Sequence, residues 1–82
     1  MNAQEICRAL GERVIAQVQT INEMLGKNQL YLTSDLGLYH LYSNASGRDV
    51  LLMEGRNSIG DLVKLLSLLG EIRKCVREGK IA

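Results

Sequence analysis

The stretch "SIGDLVKLLSLLGEIRKCVRE", residues 58 to 78, carries more apolar surface than a small chain readily covers. At 100° per residue, Ile59, Leu62, Val63, Leu65, Leu66, Leu69, Ile72 and Val76 sweep roughly 180°, against the ~100° that a surface helix commonly buries. Leu68 and Cys75 widen the arc further. Ser58 and Asp61 have the spacing of a capping box. Asp61 stands in the first turn, and Arg73, Lys74, Arg77 and Lys80 lie at or beyond the end, as the helix dipole favours. The segment is therefore predicted as a helix with a face that needs unusual cover.

The rest of the chain supplies one more helix and a small sheet. Asn2 and Glu5 form a second capping-box pattern, after which Ile6, Leu10, Val14, Val18, Ile21 and Leu25 recur every three or four residues. Gly26, with Asn28, supplies a stop. This predicts a helix from about Ala3 to Leu25, whose polar face is interrupted by Ile15 alone. Next, "QLYLT", "LYHLYS" and "DVLLME" are short Leu-, Tyr- and Val-rich segments separated by the turn compositions "SDLG" and "NASGR". Three antiparallel strands joined by hairpins follow. None alternates cleanly between apolar and polar, so both sheet faces are expected to be covered, one by the helices and one by something further.

The fold class is thus α+β, in the order α-β-β-β-α, with a three-stranded antiparallel sheet and two long helices. Eighty-two residues make a single domain, 1–82, because a second core would leave each half too small to fold. The helices would be ~30 Å long against strands of ~20 Å, so they overhang the sheet. Hydrophobic residues make up 46% of the chain, yet there are three Tyr and no Phe or Trp, so aliphatic side chains must carry the core.

Charge and cysteine usage narrow the partners. Ten Lys and Arg against nine Asp and Glu leave a net charge of +1, without the broad basic footprint of a generic nucleic-acid binder. No run approaches the ~18 apolar residues of a membrane span. Cys7 and Cys75 form no CxxC pair, and no apolar signal segment follows "MNAQE". A reduced, cytoplasmic setting is expected, with both thiols as packing residues, although a Cys7–Cys75 bridge stays open because sequence spacing does not set distance.

No reaction centre emerges from the residue types. No GxSxG elbow surrounds any Ser, and His40 lies in a strand between Tyr39 and Leu41, with only Asp35 and Asp49 as conceivable orienting carboxylates. One His and two scattered Cys fall short of a zinc set. "GRNSIGD" puts a glycine before a helix but lacks a phosphate-loop pattern. Catalysis, a cofactor, a metal and a small-molecule substrate are therefore not expected.

Two functional expectations remain. The first is a protein-association module, a homodimer or an adaptor or accessory subunit, anchored by Leu62, Leu65, Leu66, Leu69 and Ile72, with Ile15 as a lesser contact. Burying five such side chains at about 1.5–3 kcal/mol each would rival the stability of a whole domain. The alternative is a nucleic-acid-binding module. The element order is that of double-stranded RNA-binding domains, and on that order alone Arg48, Arg56 and Lys64 would contact phosphates. Tyr31, Tyr39 and Tyr42 would serve as stacking platforms if a sheet face were open.

Overall fold

The computed structural model describes residues 1–35, 38–54 and 59–80. Helix α1 spans Ala3–Leu25, strands β1, β2 and β3 span Leu30–Asp35, Leu38–Ser43 and Val50–Glu54, and helix α2 spans Ile59–Arg77. The α-β-β-β-α order is the one expected. The strands form one antiparallel sheet in the order β1-β2-β3, so β1 and β3 are its two edges.

Local chemistry sets the ends of α1. Asn2 is its N-cap, with the side-chain Oδ1 accepting from the Glu5 N–H at 2.9 Å. Gly26 ends it in the left-handed region at φ 73°, where a side chain would be strained, and its N–H reaches back to the Asn22 and Glu23 carbonyls. The capping role expected of Ser58 lies outside the described residues.

The β1–β2 hairpin runs further than its composition suggested. Ser34 and Asp35, expected in the turn, continue β1, with Ser34 opposite Tyr39 and Asp35 opposite Leu38. Their strand geometry follows from pairing, which overrides a weak local turn preference.

Both helices lie on the same side of the sheet. Val14, Val18 and Ile21 of α1 share one cluster with Leu30 and Leu41 of the sheet and with Leu62, Leu65 and Leu69 of α2. Leu30 and Leu32 of β1 share a face with Tyr39 and Leu41 of β2, since Leu32 pairs with Leu41 and side chains alternate along each strand. Tyr31, Thr33, His40 and Tyr42 take the opposite face, over which no described element packs.

This arrangement shows what already covers the residues expected at the interface. Leu62, Leu65 and Leu69 are 1%, 0% and 0% exposed, closed within the chain's own core, and Leu66 and Ile72 are half-buried against it. The broad arc of α2 has two neighbours inside the chain, the sheet and α1 alongside. A stripe of roughly 180° suits a helix packed on two sides rather than one.

The helices also point the same way. Leu25, at the end of α1, lines one groove with Leu68 and Ile72 from the second half of α2. Cys7 lies eighteen residues before Leu25, about 27 Å along the helix axis, whereas Cys75 lies one turn beyond Ile72. No bridge joins them, and both thiols are free and half-buried.

Candidate functional site

A glycine and an aromatic fix how α1 sits on the sheet. A Cβ on Gly11 would stand 3.1 Å from the Tyr39 hydroxyl oxygen, so the bare backbone makes room for that ring beneath the helix. Tyr39 therefore belongs to the covered face. The other two tyrosines stack on the uncovered face, with ring centroids 5.3 Å apart and planes 8° from parallel. The Asp49 carboxylate, just before β3, accepts a hydrogen bond from the Tyr31 hydroxyl. The Tyr31 phenol is held above its ordinary value, first by desolvation and then by that hydrogen bond and the charge of Asp49. A single stacked pair leaning on an acid makes a poor platform for an anionic strand.

The two sheet edges differ. At the start of β1, the Asn22 side chain donates to the Leu30 carbonyl at 2.8 Å and accepts from the Leu30 and Gln29 N–H groups at 3.0 and 3.1 Å. It stands in for one rung of a neighbouring strand, and Leu30 is 6% exposed. Beside this edge, Ile15 and Val18 of α1 border a groove of about 380 Å³ along Tyr31, Leu32 and Thr33.

At β3 the apolar side chains themselves are open. Leu41 pairs with Met53 and Tyr42 pairs with Leu51, so Leu52 is an extra residue that bulges the strand. A bulge breaks the alternation of faces and increases local twist. Val50, Leu51 and Leu52 are accordingly 44%, 47% and 42% exposed, with no inward and outward division. Leu52 also borders an apolar groove of about 350 Å³ with Leu25, Leu30, Leu68 and Ile72. Ile59 and Val63 on the outer flank of α2 are exposed as well.

The expected nucleic-acid contacts fall on separate elements. Arg48 is exposed in the β2–β3 connection and Lys64 is exposed on α2, while Arg56 lies outside the described residues. His40 is half-buried in β2, opposite Thr33 on one side and Glu54 on the other. Among the described residues no three His, Cys, Asp or Glu side chains gather as a metal set, and no helix is long and apolar enough to cross a membrane.

Sequence reasoning put the interface anchors on α2, where Leu62, Leu65 and Leu69 are core while Ile59 and Val63 are exposed, and did not single out the open run on β3. The signal was present in "DVLLME", where three aliphatics in succession defy the two-residue period of a one-sided strand. The described residues form a two-layer α+β arrangement with an exposed apolar strand at one edge. Comparison with protein-family models, curated proteins and solved structures finds no match.

Proposed function

We propose that this chain is a non-catalytic protein-association module that pairs with a second copy of itself. The observation that carries the reading is the run Val50, Leu51 and Leu52, exposed together on an edge strand. Contiguous apolar surface of this kind marks interaction sites more often than it decorates a monomer. An edge strand in that state also offers unpaired backbone groups to another chain.

Total surface supports the same reading. The chain exposes 5505 Å², where a compact monomer of its mass would expose roughly 4,900 Å². The excess of roughly 600 Å² approaches the ~800 Å² that each partner buries in a standard interface. The two free, half-buried thiols suit the reduced interior of a cell.

Light scattering across a hundredfold range of concentration tests the proposal. The expected mass is twice the 9.1 kDa chain, falling toward one chain on dilution, with a melting temperature that rises with concentration. A single-chain mass up to about 1 mM, where only very weak association would persist, overturns it. Leu69→Asp is unsuitable as a probe, because a charge at a fully buried core position unfolds the monomer whether or not it associates.

A further inference from the structure

Resting on that reading, the geometry points to a specific interface: α2 packs antiparallel against α2 of a second copy, with the two-fold axis passing between Ser67 and Leu68 and an ion pair between Lys64 and the partner's Glu71 on either side of it.

The open side of the molecule comes first. Ile15 and Val18 place α1 beside the β1 edge, while Leu68 and Ile72 of α2 share a groove with Leu52 of β3. Packed helix axes lie ~8–10 Å apart, about the separation of the outer strands of a three-stranded sheet, so α2 runs above the β3 side. Leu62, Leu65 and Leu69 turn its buried face to the core. Leu68, half-buried, marks the border of that face, and Lys64 and Glu71 stand exposed just outside it. At 100° per residue, Lys64, Leu68 and Glu71 fall within roughly 60° of one another. The helix is continuous from Ile59 to Arg77, so this phase holds along its whole length.

Charge and symmetry then choose the partner and the register. Lys64 and Glu71 are seven residues apart, ~10 Å along the axis, too far to pair within one chain. A parallel pair of helices would set Lys64 beside its own copy and Glu71 beside its own copy, like charges both times. An antiparallel pair with its axis between Ser67 and Leu68 puts Lys64 ~5 Å to one side and the partner's Glu71 at the same height, and repeats the contact on the other side. Shifting the axis by one turn sets either Lys64 or Glu71 against its own copy. Shifting it two turns toward the C-terminus sets Glu71 against the partner's Glu78. The central register gives two opposite-charge pairs and no like pair. The segment "KLLSLLGE" reads as Leu-Leu about a central Ser from either end, with opposite charges at its two limits, as an isologous interface requires.

The partner is therefore a second copy of this chain, and the product is a layer of four helices with both sheets on the same side. Ser67, small and exposed, meets its counterpart on the outer side of the helix pair and lets the two backbones approach. Leu68 meets its counterpart on the sheet side, beside the groove that it shares with Leu52. The helix contact is thus continuous with the open run of β3, whose aliphatic side chains are brought toward those of the partner below it.

A charge reversal tests this without touching the core, since Lys64 and Glu71 are both exposed and the variants should keep their circular dichroism. Each single variant, Lys64→Glu or Glu71→Lys, turns two symmetric attractions into two repulsions. It should raise the dimer dissociation constant about tenfold in low salt. The double variant restores opposite charges in exchanged places and should return to within about threefold of the parent. A parent dimer indifferent to both single reversals, or a double variant as weak as the singles, overturns this interface while leaving self-association standing. A parent that is a single chain at every concentration overturns both.

Discussion

The side chain of Asn22 is hydrogen-bonded to both backbone groups of Leu30, its Nδ2 donating to the carbonyl at 2.8 Å and its Oδ1 accepting from the N–H at 3.0 Å. One residue of α1 thereby fixes where β1 begins and occupies the sheet edge there. Asn22→Ala would leave three backbone groups of Gln29 and Leu30 without these partners in a part-buried corner. We expect a loss of about 2–3 kcal/mol, read as a lower midpoint with unchanged slope in urea unfolding. Asn22→Asp keeps the acceptor but sets a carboxylate oxygen against the Leu30 carbonyl, so it should not rescue. Parent-like stability in the Ala variant would mean the corner is held by apolar packing alone.

Gly11 and Tyr39 make a second checkable contact. Gly11→Ala adds helix propensity of about 1 kcal/mol, but its Cβ meets the tip of the Tyr39 side chain at 3.1 Å. The ring tip can give by a few tenths of an ångström, so that variant should be close to neutral. Gly11→Leu cannot be accommodated that way and should cost about 1–3 kcal/mol through overpacking. Pairing Gly11→Leu with Tyr39→Ala should recover part of the loss in a double-mutant cycle. Simple additivity would separate the two residues energetically.

Alkaline stability should depend on Tyr31. Its phenol is raised in the folded chain above the ordinary value of 10.0, by desolvation and by Asp49. Folding then favours the protonated form. That contribution is fully present below pH 10 and is lost as pH rises through the folded value, since the native state then holds a proton the unfolded state has released. Tyr31→Phe removes the titrating group, so its unfolding midpoint should decline less steeply above pH 10 than the parent's. Asp49→Asn should bring tyrosinate absorbance in at lower pH. A parent and Tyr31→Phe variant with parallel alkaline profiles would show that the two states ionise alike.

Much of the architecture was legible in local pattern. The limits of α1 followed from Asn2, Glu5 and Gly26 acting on a 3.6-residue apolar repeat, because caps and periodicity are contained in the nearest few residues. The three strands and their order were readable for the same reason, with the turn compositions between them. The ends of β1 were less so: Ser34 and Asp35 prefer turns in isolation, and only pairing with Tyr39 and Leu38 makes them strand.

Which apolar face meets which neighbour was decided only by tertiary structure. The breadth of the α2 stripe is a property of the sequence, but Leu62, Leu65 and Leu69 became core because α1 lies alongside α2 on the same sheet face. Likewise "DVLLME" announces a strand, while the bulge that opens Val50, Leu51 and Leu52 together arises from the register of β3 on β2. The sequence by itself determined the elements, since their causes act within a few residues. Burial is a relation between elements distant in the chain, and it had to be read from the folded molecule.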